Sequence, residues 1–319
     1  MVDKLLVEGI GTVRFQYAHH LKTLRPPYLA RGPLAAVFGW GICEFAARVF
    51  KVIATAIENG KETNDPFTTV NIMGYSRGAI IGVMLAHMLN EDDTTKQLEV
   101  NLMLCDPVPG PAVHKAHLRK AGVVPPNVKN VLIVLMRDER SPGFSLLLPM
   151  NRQPCSTFEV DLMPGNHLTA VLPKGHHGWN VHSKSVNENV SNIVFSVTLQ
   201  WLIKRGTKCN FESYQLLMSD EEYLQTYERL AASHKHYRGT LVLDIHGSRH
   251  CTVGESDTKV AIRDLPVFAP LRDMDGIINL HHLRLRQHYQ HSSIGSRQSN
   301  EIHQRFIKRV YGQSPLHIR

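Results

Sequence analysis

An α/β fold is what this sequence of 319 residues predicts: a mostly parallel sheet with helices on both faces, followed by a C-terminal extension of mixed and helical character. Three observations carry that expectation. Short apolar runs at residues 70–73, 100–105, 128–136 and 157–163 alternate with segments whose apolar residues recur at helical spacing. Each run closes on a turn-forming stretch, at Gly74-Tyr75-Ser76-Arg77-Gly78, Asp106-Pro107-Val108-Pro109-Gly110, Arg137-Asp138-Glu139-Arg140 and Pro164-Gly165-Asn166-His167. In sheets of this kind ligands sit at the carboxyl ends of the strands, where these turns fall.

The elements follow in order. Leu5-Leu6-Val7-Glu8 reads as a short strand ending at Gly9-Ile10-Gly11-Thr12. After a loop around Arg25-Pro26-Pro27, Gly39-Trp40-Gly41 leads into a helix with apolar residues at Phe45, Val49, Val52, Ile53 and Ala56, which Gly60 is expected to stop. The run at 70–73 suits a buried strand, and residues 79–89 suit a helix packed on a sheet. A helix is expected over about 189–204. Composition changes near Cys209: residues 211–232 read as one helix with Glu221, Glu222 and Glu228 on a polar face, and 280–290 as a basic amphipathic helix. The chain divides accordingly into residues 1–205, carrying the sheet, and 206–319, rich in His and Arg.

The first turn carries the chemistry. Glycines at 74 and 78 suit a strand that reverses into a helix within a few residues, because a side chain at either position is expected to collide with the turn. Ser76 then stands at the tip as a candidate nucleophile, and the Arg77 backbone N–H, at a helix N-terminus, faces the place where an oxyanion would form. The strand-end turns supply Ser76, Asp106, Asp138 and His167 in the chain order Ser, Asp, His of an α/β-hydrolase-like protein. His167 is the expected base and a carboxylate its orienting partner. Asp138, after the second strand beyond Ser76, holds the usual position and ranks above Asp106, after the first. The competing role for Asp138 is an ion pair with Arg137 or Arg140, and for Asp106 a turn cap. His176, His177 and His182 rival His167, which ranks first because its tight turn directly follows a strand.

Bulk properties narrow the classes. The net charge of +8 favours anionic partners, a phospholipid surface among them. Five scattered cysteines form neither a disulfide framework nor a zinc spacing. No metal-ligand pattern, Walker loop, dinucleotide fingerprint or nucleic-acid module is present in the sequence, so no metal or cofactor and no specific nucleic-acid partner is expected. The first residues lack the apolar core of a signal peptide and no stretch is long enough to span a bilayer, which predicts a chain folded in a reducing cytosol.

Taken together, Gly9-Ile10-Gly11-Thr12, Gly39-Trp40-Gly41, Gly74-Tyr75-Ser76-Arg77-Gly78-Ala79, Asp106, Asp138-Glu139-Arg140 and Pro164-Gly165-Asn166-His167 resemble, in this order, the α/β-hydrolase domain of type VI secretion lipase effectors and related hydrolases. The likeness covers residues 5–205. It implies a lipase or phospholipase acting through a Ser-His-Asp triad on ester or phospholipid substrates. It also implies oxyanion donors near Gly9 and Gly11, and export from the producing cell without a signal peptide. Family members carry an earlier strand ending in Asp-Gly-Thr, which would fall before this chain's first residues. They also carry Trp-Asp-Thr-Val where this chain has Cys105-Asp106-Pro107-Val108. The alternative function is a catalytically weak hydrolase-fold protein that binds a partner or an anionic membrane through its basic C-terminal region.

Overall fold

The computed structural model describes residues 5–7, 22–24, 41–62, 66–110, 113–139, 141, 143–153, 155–171, 184–209, 211–232, 249–256, 258–265 and 276–289. Two short strands, β1 (Leu5–Val7) and β2 (Lys22–Leu24), pair in parallel. Helix α1 (Ile42–Glu62) buries Ile42, Phe45, Ala46, Val49 and Ile57 along one stripe. It runs through Gly60 rather than stopping there. A helical glycine costs about 1 kcal/mol, too little to end a helix of this length packed along a buried stripe.

The central unit follows as β3 (Thr69–Tyr75), α2 (Arg77–Glu91), β4 (Glu99–Cys105), α3 (Lys115–Ala121), β5 (Val123–Val124), β6 (Val128–Met136), β7 (Leu146–Leu148), β8 (Met150–Asn151) and β9 (Thr157–Met163). Strands β3, β4, β6 and β9 form a four-stranded sheet in that order, parallel throughout. The fold is thus mixed α/β with a mostly parallel central sheet. Alternate residues of each strand enter opposite cores. Leu102, Leu104, Ile133 and Leu135 pack with α1 and α2, whereas Met103, Cys105, Leu132 and Met136 face the later helices. Both faces are therefore apolar, as a parallel sheet between helical layers requires.

Those later helices are α4 (Lys184–Ile203), α5 (Phe211–Tyr214), α6 (Asp220–Ala232) and α7 (Leu280–Tyr289). The single helix expected over 211–232 is broken between α5 and α6. Ser219 restarts the chain with a capping box: its hydroxyl accepts from Glu222 N at 3.2 Å, and the Glu222 carboxylate accepts from Ser219 N at 2.7 Å. Ser219-x-x-Glu222 is a capping-box signature legible in the sequence. Helix α7 is not a free basic face. It buries Leu280, His282, Leu283 and Leu285, and Arg286 makes a two-pronged bond to Glu228 of α6 at 2.9 Å each. Asn279, just before it, donates to the Leu162 carbonyl at 3.2 Å, so this segment covers the outer edge of β9. Among the described residues no helix is long and apolar enough to cross a membrane.

The C-terminal part of the chain also builds sheet. Strand β10 (His250–Val253) pairs in parallel with β7 and antiparallel with β11 (Lys259–Ala261), so residues beyond 206 are hydrogen-bonded to the body that carries the expected site.

A row of polar side chains crosses the four central strands. Asn130 Nδ2 donates to Asn101 Oδ1 at 2.7 Å, Asn101 Nδ2 to Asn71 Oδ1 at 2.8 Å, and Thr157 Oγ1 to Asn130 Oδ1 at 2.9 Å. Arg205 closes the row from beyond α4, its carbonyl accepting from Asn71 at 3.0 Å and its guanidinium donating to Thr157 at 3.1 Å. Neighbouring strands can satisfy these groups only in one register, because a slip of one residue would turn each amide to the opposite face. Replacing Asn101, which is buried and bonded on both sides, by Ala strands one acceptor and one donor. The expected loss in denaturant unfolding is about 2–3 kcal/mol; a loss below roughly 0.5 kcal/mol would show that the row does not hold the sheet.

Candidate active site

Strand β3 delivers Ser76 into a strained turn. Its backbone sits at φ 58°, ψ −125°, a region that side-chain-bearing residues avoid. The turn is tied down on both sides: Ser76 N donates to the Cys105 carbonyl at 2.9 Å, and the Ser76 carbonyl accepts from Ala79 N at 3.0 Å as α2 begins. Gly74 allows this close approach. A Cβ at Gly74 would lie 2.6 Å from Ala79 Cα and closer still to the Gly78 carbonyl. Gly78 differs from expectation: a Cβ there meets nothing within 4 Å, so only one of the two glycines is required sterically. The Ser76 side chain makes no capping bond, which leaves its hydroxyl for another partner, and the N–H of Arg77, the first residue of α2, has no intrahelical acceptor.

The partner is His167. Its Nε2 lies 2.9 Å from Ser76 Oγ and its Nδ1 2.5 Å from Asp106 Oδ2, and all three residues are buried. The 3-10 turn His167–Ala170 that follows β9 carries the ring. Asn166 caps this turn, accepting from Thr169 N at 3.1 Å while Thr169 Oγ1 accepts from Asn166 N at 3.1 Å. Tyr75 stacks on the ring with centroids 4.6 Å apart and donates its hydroxyl to the His167 carbonyl at 2.8 Å. Phe144 meets the ring edge-on at 5.0 Å. Burial, then the nearby Asp106 charge, drives the Tyr75 phenol far above its ordinary pKa, so it stays a proton donor.

Asp106 directly follows β4 in a left-handed conformation, φ 47°. Among the described residues, Ser76 and Asp106 are the two non-glycine positions with positive φ. Burial would raise the Asp106 carboxyl; the facing Arg249 charge, with the His167 hydrogen bond and charge, outweighs it and holds the group below its ordinary value. Met136 N also donates to Oδ1 at 2.8 Å.

Asp138, the carboxylate preferred on topology, does not reach the ring. Its oxygens are bonded to Arg137 at 2.9 and 3.2 Å and to Gly165 N at 2.8 Å, and its own N–H donates to the Gly165 carbonyl at 2.9 Å. The reason is placement. β4 lies next to β3, so Asp106 stands beside Ser76, whereas β6 is one strand further away. Asp138 instead clamps the turn before His167. Glu139 joins it, accepting from His167 N at 3.0 Å and Ser141 N at 2.7 Å. Burial would raise the Glu139 carboxyl, but the Ser141 side chain, then these N–H donors and the Arg249 charge, bring it below its usual range.

Sequence reasoning missed Glu139 as a clamp, Tyr75 and Phe144 as the ring's neighbours, and Arg249. Glu139 stands beside Asp138 in the Asp138-Glu139-Arg140 motif, where the sequence reading gave it no role. Arg249 had no local signal at all. Gly9, Gly11, His176, His177 and His182 lie outside the described residues. Among those described, no group of three or more His, Cys, Asp or Glu side chains is placed to hold a metal ion.

No family model and no curated protein matches this chain.

The glycine asymmetry is testable. Gly74→Ala should abolish soluble, cooperatively unfolding protein or cost several kcal/mol, while Gly78→Ala should leave the thermal midpoint within a few degrees. Equal tolerance of both substitutions would mean the turn is not built as described.

Proposed function

We propose that this chain is a serine hydrolase of carboxylic esters with an α/β-hydrolase fold, most akin to lipases and phospholipases. One observation carries the reading: the continuous hydrogen-bonded series Ser76 Oγ, His167 Nε2, His167 Nδ1, Asp106 Oδ2 at 2.9 and 2.5 Å, set at the carboxyl ends of parallel strands. The bare Gly-x-Ser-x-Gly motif occurs by chance in many chains; a serine held at positive φ against a buried histidine and aspartate does not.

In this mechanism Ser76 Oγ attacks the ester carbonyl carbon as its proton passes to His167 Nε2. The carbonyl electrons move onto oxygen, where the Arg77 N–H, aided by the dipole of α2, stabilises the charge. Asp106 holds the ring and stabilises its imidazolium form. Collapse of the tetrahedral species expels the alcohol, which takes the proton from His167. Water then repeats the sequence on the acyl-enzyme, releasing the acid and restoring Ser76.

A lipid-type substrate is supported by the surroundings of the base. Leu168, next to His167 in the same turn, and Val171, just after that turn, are exposed apolar side chains, suited to an acyl chain or a lipid surface. The type VI lipase resemblance, carried by the motifs, points to the same substrate class.

Turnover of a chromogenic short-chain ester tests the roles separately. Ser76→Ala should abolish it, and Asp106→Asn should cost about 10⁴ in kcat, the penalty for leaving the histidine in the wrong tautomer. Asp138→Asn should act on stability, with at most about a tenfold change in kcat. Reversal of the two aspartate effects would overturn the assignment of Asp106.

A further inference from the structure

Arg249 comes from the C-terminal part of the chain, immediately before β10, yet its side chain is 2% exposed and lies against the carboxylate of the triad. Nη1 donates to Asp106 Oδ1 and Nη2 to Asp106 Oδ2, both at 2.8 Å. Nη1 also donates to the Met136 carbonyl at 2.5 Å and Nε to the Phe144 carbonyl at 3.1 Å. The Arg249 carbonyl accepts from Ile262 N at 2.7 Å, fixing the backbone from which the side chain projects. With Met136 N on Oδ1 and His167 Nδ1 on Oδ2, each Asp106 oxygen receives two donors.

We propose that Arg249 is a positioning residue of the triad, which keeps Asp106 an acceptor and thereby fixes the His167 tautomer with its Nε2 lone pair facing Ser76. The inference rests on the hydrolase reading of the site. A buried carboxylate without a counter-charge takes up a proton readily. Protonated Asp106 would donate to His167 Nδ1, the ring hydrogen would move to Nε2, and the base would lose the lone pair that accepts the Ser76 proton. The Arg249 charge prevents that state. It also opposes a second proton on the Asp106–His167 pair, because the trio is neutral with a neutral ring and carries +1 with an imidazolium; without Arg249 the corresponding states are −1 and 0. Removing the charge therefore raises the pH at which the pair takes up its proton.

The other ionisable groups around the trio do not change the direction of this effect. Glu139, bonded to His167 N, is a second carboxylate in electrostatic contact with Arg249, and its charge is present with or without the guanidinium. Asp138 is paired with Arg137. Tyr75, Cys105 and Cys251 are driven toward their neutral forms by burial.

Three proteins test the inference: wild type, Arg249→Met and Arg249→Lys, each assayed for kcat, KM and the pH profile on a chromogenic ester, and for the downfield proton resonance of His167 Nδ1–H by NMR. Arg249→Met should lower kcat about 10²-fold or more with KM little changed, and move the acid limb to higher pH. Arg249→Lys, which keeps the charge and loses the fork, should hold the acid limb in place and recover part of kcat. If Arg249→Met does not fold, a lysine variant with reduced kcat and an unmoved limb supports the proposal. Wild-type kcat and acid limb in Arg249→Met, an acid limb moved to higher pH in Arg249→Lys, or a loss confined to thermal stability, overturns it. The resonance separates the two claims: if the folded wild type hydrolyses no ester, the hydrolase reading fails, while a higher titration midpoint in Arg249→Met still supports the role of Arg249 and an unmoved midpoint contradicts it.

Discussion

Everything in this site depends on one buried charge and the donors that hold it. Asp106 has no solvent exposure, and an ion taken from water into such surroundings costs several kcal/mol unless its lone pairs are met. They are met from three directions: the end of β6 through Met136 N, the turn after β9 through His167, and the segment before β10 through Arg249. Since Asp106 itself follows β4, four separated stretches of chain converge on one carboxylate. Deleting any one donor leaves the charge undercompensated, so the folding of these segments and the geometry of the site are a single problem.

The strain at Ser76 and Asp106 is intelligible in that light. Positive φ at a residue with a side chain costs of order 1–3 kcal/mol and survives only where the surroundings dictate it. Adjacent strand ends carry both residues, with Ser76 N bonded to the Cys105 carbonyl and Asp106 N to the Val134 carbonyl. Further down the same strands the Asn71, Asn101 and Asn130 side chains lock the register. Asn71 pairs with Asn101, and Ser76 and Asp106 each lie five residues beyond their own asparagine, so the polar row fixes the relative height of Ser76 and Asp106.

Much of the sheet was legible because its signals are local. The apolar runs at 128–136 and 157–163 coincide with β6 and β9, and the Gly74-to-Gly78 motif singled out Ser76 as a candidate together with the apolar strand before it and the helix after it. The turn after β9 likewise pointed to His167. The choice between Asp106 and Asp138 was not local. Both follow strands, and the outcome depends on which strand lies next to β3 and on Gly165 occupying the Asp138 carboxylate. Arg249 was further out of reach: it lies 143 residues from Asp106 in sequence, inside a region whose His- and Arg-rich composition suggests a solvated or lipid-facing surface. Composition describes the average residue of a segment, and here a single buried member carries the contact. The same holds for α7, where a basic pattern conceals buried Leu and His side chains packed against α6.

The most direct measurement is covalent labelling of the folded chain with a fluorophosphonate, read by peptide mass spectrometry. The proposed chemistry requires one adduct, on the peptide containing Ser76, formed rapidly in the wild type and far more slowly when Asp106 is replaced by Asn. A folded protein that takes no label at Ser76, or that takes it equally fast without the Asp106 carboxylate, would contradict it.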